Sequence, residues 1–186
     1  MDFKGKVVII TGASSGIGAQ SAREFAKLGS RLVLAGRNLE NLKKVAVDCG
    51  NSDDVLMVQA DVTSEDDSKK IIDEAVKKFG RIDVLLNIAG IIEDGTIETT
   101  SMEQYDRVMN TNMRSIYFLT MLAVPYLIES EGNIVNISSV CGVRSFPGVL
   151  AYNVSKAAVE QFTKCVALEL ASKKVRCNSV APGLQI

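Results

Sequence analysis

The stretch Val7-Val8-Ile9-Ile10-Thr11-Gly12-Ala13-Ser14-Ser15-Gly16-Ile17-Gly18 decides how this 186-residue chain is read. Its β-branched apolar run suits a strand buried on both faces, as in a parallel sheet covered by helices, and the glycines begin where that strand must end. Gly12 permits a tight turn, while Gly16 and Gly18 let backbone approach a ligand and the strand. The apolar spacing from Ile17 to Leu28 predicts a helix whose N-terminus faces the turn. Free amides and the positive end of the helix dipole make that point a site for a phosphate group.

Turns of any purpose select glycine, so a structural turn competes with a phosphate cradle until the context is read. Arg31-Leu32-Val33-Leu34-Ala35 is a second apolar strand. The unit is therefore strand, helix, strand, and it carries Gly36-Arg37-Asn38 where ribose-contacting residues sit in a dinucleotide fold. Further on, the patterns predict a helix over Leu39 to Cys49, a strand over Val55 to Gln59 and a helix over Ser64 to Phe79. A strand follows over Ile82 to Leu86, then a long helix over Met102 to Ile128 broken near Pro125, and a strand over Asn133 to Ile137. A helix over Ala151 to Ala171 and a strand over Val175 to Val180 complete the series. This alternation predicts an α/β fold, a doubly wound parallel sheet of about six strands with helices on both faces, and its ligand crevice at the carboxyl ends of the strands. The candidate motifs fall at that edge: Gly12 to Gly18, Arg37, Asp61-Val62, Asn87 to Gly90, Ser138-Ser139 and Pro182-Gly183.

Composition narrows the chemistry. The 21 Lys and Arg against 22 Asp and Glu leave a net charge of -1, which offers no bulk attraction to nucleic acid or an anionic membrane. No apolar run approaches the roughly eighteen residues that span a bilayer, and no leader is recognised, so a cytoplasmic location is expected. The 4 cysteines, Cys49, Cys141, Cys165 and Cys177, lack metal-ligand spacing and read as reduced thiols. The count of 0 His removes the Ser-His-Asp and Cys-His nucleophile systems and the commonest zinc ligand. No metal site is expected, and proton transfer falls to Tyr, Lys or carboxylates.

In Ala151-Tyr152-Asn153-Val154-Ser155-Lys156 the helix places Tyr152 and Lys156 on one face. An isolated pair of this kind is ordinarily an amphipathic tyrosine beside a solvated lysine. An ammonium near a phenol can instead lower its pKa from about 10 and make it a usable proton donor. Ser139, just past a buried strand, and Asn112, inside the long helix, each have ordinary structural readings alone. The order Thr11-Gly12-x-x-x-Gly16-x-Gly18, Asn87-x-Ala89-Gly90, Asn112, Ser139, Tyr152-x-x-x-Lys156 and Pro182-Gly183 resembles the signature of the short-chain dehydrogenase/reductase family over nearly the whole chain. Its order is similar to that of 3-oxoacyl-carrier-protein reductase-like members.

The resemblance implies a Rossmann-type domain over 1–186 and an oxidoreductase that moves a hydride between NADP(H), or NAD(H), and a ketone or secondary alcohol. It implies Tyr152 as general acid and Lys156 as holder of the nicotinamide ribose and depressor of the Tyr152 pKa. Ser139 would bond the substrate oxygen, and Asn112 would hold a water linked to Lys156. Cofactor-binding positions would be Gly12, Ser14, Ser15, Gly16, Ile17, Gly18, Arg37, Asn38, Asp61, Val62, Asn87, Ala89, Gly90, Tyr152, Lys156, Pro182 and Gly183. It further implies a homo-oligomer, dimer or tetramer, paired through the helices at Met102 to Ile128 and Ala151 to Ala171. Ile88 departs from the family's second Asn, and no acidic residue stands at Gly36, which favours NADP. The family usually continues beyond the position of Ile186 with a substrate segment and a seventh strand; a cofactor-binding or oligomerising protein with little turnover is the alternative.

Overall fold

The apolar run that opens the chain becomes β1 (Val7–Thr11), whose Val7 to Ile10 are fully buried. The computed structural model describes residues 3–50 and 52–183. β1 is followed by α1 (Gly16–Lys27), β2 (Arg31–Gly36), α2 (Leu39–Cys49), β3 (Val55–Gln59), α3 (Glu65–Phe79) and β4 (Val84–Asn87). Then come α4 (Met102–Met109), a π-helical turn (Asn110–Arg114), α5 (Ser115–Ser130) and β5 (Asn133–Ile137). A short α6 (Val140–Val143), α7 (Leu150–Leu170) and β6 (Arg176–Val180) complete the described elements.

The strands form one parallel sheet in the order β3-β2-β1-β4-β5-β6. The chain winds outward from β1 in one direction, returns to β4 on its other side and continues to β6, so the crevice of a doubly wound sheet lies beyond Thr11 and Asn87. Alternate residues of β1 serve opposite faces. Val8 and Ile10 pack with Ala19, Ala22 and Leu42 of α1 and α2. Val7 and Ile9 pack with Ile71, Leu119 and Leu127 of α3 and α5. β6 is the edge beyond β5, and Val180 on it is 49% exposed. Residues 184–186, where the family's Pro-Gly-x-x-x-Thr would run on, lie outside the described residues.

One expectation about the long helix is corrected. The irregularity lies at Asn110–Arg114, and α5 runs through Pro125 without a break. Proline removes the N–H that would reach the Met121 carbonyl, but both residues are exposed, so water can take that acceptor. Among the described residues no helix is long and apolar enough to cross a membrane.

At the opposite edge from the crevice, Asp83 is only 4% exposed and ties the start of β1 to the segment that leads into β4. It accepts hydrogen bonds from the Val7 N–H at 2.9 Å, the Lys6 ammonium at 3.0 Å and the Arg81 guanidinium at 2.6 Å. Burial pushes this carboxyl up, but the bonds from Arg81, Val7 and Lys6 outweigh it and hold the pKa below the usual carboxylate value. A depressed folded-state pKa adds stability that is present above the unfolded value of about 3.9 and is lost as pH falls through the folded one. Asp83→Asn keeps an acceptor for Val7 but loses the charge. It is expected to lower stability by roughly 1–2 kcal/mol at neutral pH, the half-exposed Lys6 and Arg81 being screened by water. Melting curves of the two proteins should converge as pH drops from 5 to 3; curves that stay parallel would remove Asp83 from the acid response.

Candidate active site

Two cavities meet at the crevice. The larger, about 380 Å³, lies over the β1–α1 turn and is walled by Gly12, Ser14, Ser15, Gly16, Ile17 and Gly18 on one side. Arg37, Asn38, Asp61, Val62, Ala89 and Gly90 stand on the other. The second, about 270 Å³, is lined by Ser139, Tyr152, Lys156, Pro182 and Gly183, and Ile17, Ile88, Gly90 and Ile91 line both. A long ligand can therefore run from the glycine turn to Tyr152.

The local chemistry explains the cradle. α2, α3 and α4 each begin with a side chain accepting from the first turn: Asn38 from the Asn41 N–H, Ser64 from Asp67 and Ser101 from Gln104. Ser15 at the start of α1 makes no such bond, so the amides of that turn stay available to an anion. Gly12 has φ +65 and lies so close to the Ile88–Ala89 backbone that a Cβ would stand 3.0 Å from the Ala89 nitrogen. Thr11 fixes that approach. Its hydroxyl oxygen accepts from the Ile88 and Ala89 N–H groups at 2.9 and 3.1 Å.

Beside the cradle Arg37 points outward, 74% exposed, with a guanidinium nitrogen 3.8 Å from the Asp61 carboxylate. Burial raises the Asp61 carboxyl, but the Thr63 N–H and hydroxyl and the nearby Arg37 bring it below its ordinary value. The Asp61 side chain is thereby held in an Asx turn, while the Asp61 backbone N–H donates to the Asp67 carboxylate at 2.8 Å. Arg37 keeps donors free toward the cavity.

At the other end, Ser139 caps α6, its hydroxyl oxygen accepting from the Cys141 N–H at 3.1 Å. Ser139 and Tyr152 line the same cavity. Burial raises the Tyr152 pKa above its ordinary value, with the nearby Ser139 hydroxyl acting in the opposite direction. The expected lowering by Lys156 is not what this arrangement produces. Lys156 is 3% exposed, and its ammonium donates to the Ile137 carbonyl at 2.8 Å while lying 5.6 Å from the centre of the Tyr152 ring. Burial without a carboxylate partner brings Lys156 down to about 8. Ser138, read as structural, donates to the Lys156 carbonyl at 3.3 Å and fastens the end of β5 to α7.

Asn112 is fully buried behind the cavity wall. Its Nδ2 donates to the Ile91 carbonyl at 2.8 Å and to the Ser155 hydroxyl at 3.1 Å, and its Oδ1 accepts from the Ile91 N–H at 2.8 Å. Both amide hydrogens are engaged, so the side chain is a clamp on the segment after Gly90 and not a free donor to a water. The clamp sits in the π-helical turn, an irregularity that often marks function. Asn87 is likewise buried and lines neither cavity. It donates to Asn136 at 2.8 Å and to Thr120 at 3.3 Å, holding the end of β4 in place.

The family model for short chain dehydrogenases matches residues 6–185. The chain belongs to that family. Among the relatives of this short-chain dehydrogenase is the 3-oxoacyl-acyl-carrier-protein reductase of Thermotoga maritima, 40% identical over 98% of this chain and 75% of its own length. The 2-(R)-hydroxypropyl-CoM dehydrogenase of Xanthobacter autotrophicus is 42% identical over 96% of this chain and 74% of its own. Among solved structures, a short-chain dehydrogenase/reductase of unknown function from Caenorhabditis elegans, determined with cofactor, superposes with a TM-score of 0.94. It is 36% identical, covering 99% of this chain and 71% of that one. The 3-ketoacyl-(acyl-carrier-protein) reductase of Brucella melitensis complexed with NADH superposes at 0.92 with 33% identity, covering 97% of this chain and 76% of that one. These likenesses make this an NAD(P)-dependent oxidoreductase family member with a Rossmann-type fold.

Other residues, not assigned to the site by the motif positions, also stand there. Ile88 and Ile91 line both cavities, Thr111 and Gly36 wall the cradle, and Ser155 holds Asn112. Gly36, at the end of a strand, and Ile88, inside the Asn87 to Gly90 turn, carried a local signal; Ile91, Thr111 and Ser155 owe their positions to contacts distant in sequence.

Proposed function

We propose that the chain transfers a hydride between NADP(H) and a ketone or its secondary alcohol, with Tyr152 as general acid in reduction and general base in oxidation. The observation that carries this reading is the meeting of the Ser139 and Tyr152 side chains with Lys156 in one cavity, at the end of a groove continuous with an uncapped helix N-terminus. A carbonyl oxygen between the two hydroxyls would receive a bond from Ser139 and the proton from Tyr152 as negative charge develops on it. Lys156 lies behind the phenol, ready to meet ribose hydroxyls. The bound nicotinamide supplies the hydride. Gly12 to Gly18 with the free α1 amides would hold its phosphates, and Asp61, Val62, Ala89 and Gly90 would frame the rest. Following the loss of NADPH absorbance with a panel of ketones, alongside calorimetric cofactor binding, tests the reading. Binding without turnover would assign the chain to cofactor binding alone.

NADP is the preferred cofactor in this reading. Gly36 presents no carboxylate to a ribose diol, and Arg37 offers a planar fork to a 2′-phosphate, assisted by the Nδ2 that Asn38 keeps while its Oδ1 caps α2. Arg37→Asp is expected to weaken NADP binding roughly tenfold or more and to leave NAD binding unchanged or improved. Equal losses for both cofactors in titration calorimetry would refute the role.

The chain is also proposed to self-associate as a dimer or tetramer through α4, α5 and α7. Tyr117 and Met121 on α5 are 56% and 52% exposed, and Leu168 on α7 is 80% exposed. Apolar side chains at that exposure on adjoining helices suit an isologous contact. Light scattering at micromolar concentration should give at least twice the chain mass; a monomer would leave these residues as plain surface.

A further inference from the structure

A row of buried polar side chains crosses from α5 to α7 over the ends of β4 and β5. Asn87, Thr120, Asn136, Thr163 and Cys177 are each 6% exposed or less. Asn87 and Asn136 face each other as the last register pair of β4 and β5. Asn87 Nδ2 donates to Asn136 Oδ1 at 2.8 Å and to the Thr120 hydroxyl of α5 at 3.3 Å. Asn136 Nδ2 donates to the Thr163 hydroxyl oxygen of α7 at 3.0 Å and to Cys177 Sγ of β6 at 3.8 Å. The Thr163 hydroxyl in turn donates to the Val159 carbonyl at 2.7 Å. Both amide groups thus have their hydrogens committed. Aliphatic side chains could fill such a place with no polar group to satisfy. A satisfied network instead admits one placement of its helices, because a slide of either would leave a buried donor unpaired.

The group that this placement serves lies one residue further along β5. β4 ends at Asn87, and past the Asn87–Asn136 pair the Ile137 carbonyl accepts from Lys156 Nζ at 2.8 Å. Ser138 then donates to the Lys156 carbonyl at 3.3 Å. Asn136, Ile137 and Ser138 therefore each fasten β5 to α7, the first through Thr163 and the other two through Lys156. Thr163 follows Lys156 by about two helical turns, so both side chains leave α7 on the face that meets the sheet. Lys156 is buried, and the Ile137 carbonyl is what holds its ammonium, so the position of that charge depends on the height of α7 along β5.

We propose that Asn136 and Thr163 act as positioning residues for Lys156, setting the height and rotation of α7 at which the ammonium meets the Ile137 carbonyl and faces the cofactor ribose. The inference rests on the reading of Lys156 as a cofactor contact and adds the residues that place it. Neither Asn136 nor Thr163 lines the cradle or the Tyr152 cavity, so both act through Lys156 and not on the ligand.

Titration calorimetry on the full chain, with whichever of NADP and NAD the parent binds more tightly, reads the effect without turnover. Thr163→Val keeps the branched shape and removes the acceptor for Asn136. It is expected to weaken cofactor binding about fivefold or more, and Thr163→Ser, which restores the hydroxyl, should return it to within about twofold of the parent. The decisive arm is a double-mutant cycle with Lys156→Met, which drops the ammonium and keeps an unbranched stem. Because Thr163 acts through Lys156, Thr163→Val in that background should change binding by less than about twofold. An equal loss in both backgrounds would overturn the assignment. So would a Thr163→Val variant that melts lower but binds cofactor as the parent does, which would leave the row as core packing alone. Should Thr163→Val not fold, Thr163→Ala, whose smaller side chain admits a water to the Asn136 amide, carries the same cycle with the same criteria. A parent that binds neither cofactor would overturn this inference together with the reading beneath it. A parent that binds cofactor but turns over no ketone would count against the catalytic reading, while the binding cycle would still decide Thr163.

Discussion

Tyr152→Phe is expected to lower turnover with any ketone by roughly a hundredfold to ten-thousandfold while cofactor binding stays near the parent value. The substitution removes one oxygen, the one that would pass the proton, and leaves the ring, which is half-buried beside Lys156, in place. Lys156→Ala should behave differently. It deletes a buried ammonium held to the Ile137 carbonyl, so both turnover and cofactor affinity are expected to fall. Steady-state rates with calorimetric cofactor titration separate the two outcomes. A Phe variant that kept more than about a tenth of the parent rate would pass the acid role to another group.

Gly18→Ala is expected to damage binding and stability together. A Cβ at Gly18 would fall inside contact distance of the Gly12 carbonyl oxygen and 2.7 Å from its carbon, and both atoms are backbone. Neither can move without shifting the β1–α1 turn, because Gly12 is itself pressed against Ala89 and that contact is held by Thr11. Overpacking of this kind costs about 1–3 kcal/mol, and the shifted turn would carry the α1 amides away from the phosphate position. Loss of NADP binding by at least tenfold with a melting temperature lower by several degrees is the expected result. Gly16→Ala provides the contrast: nothing lies within 4 Å of a Cβ there, and only its positive φ of +52 opposes the change. If Gly18→Ala bound NADP as the parent does, close packing of α1 on the turn would not be what shapes the cradle.

The Lys156 environment shows where reading by motif runs out. Spacing alone places Tyr152 and Lys156 on one face of α7 and suggests an ammonium that acidifies a phenol. Burial reverses the expected balance: both groups are shielded, Tyr152 is raised, and Lys156 falls to about 8. Asn112 teaches the same lesson. Its position in the motif order was visible, but its use as a clamp depends on Ile91 and Ser155, which lie 21 and 43 residues away.

What the sequence by itself determined is the sheet and its glycine edge. Val7 to Ile10, Arg31 to Ala35 and Asn133 to Ile137 carry the local pattern of buried strands, and the observed β1, β2 and β5 lie where that pattern falls. Period and turn chemistry are local properties, so they survive reading without a fold. Only the tertiary structure decided that the irregular turn sits at Asn112 and not at Pro125, that the α1 amides remain uncapped, and that Lys156 is buried against the Ile137 carbonyl. Each of those depends on which distant atoms come within hydrogen-bond or ion-pair reach and on how much water is excluded. Solvation and partners, unlike periodicity, are set when the chain has closed on itself.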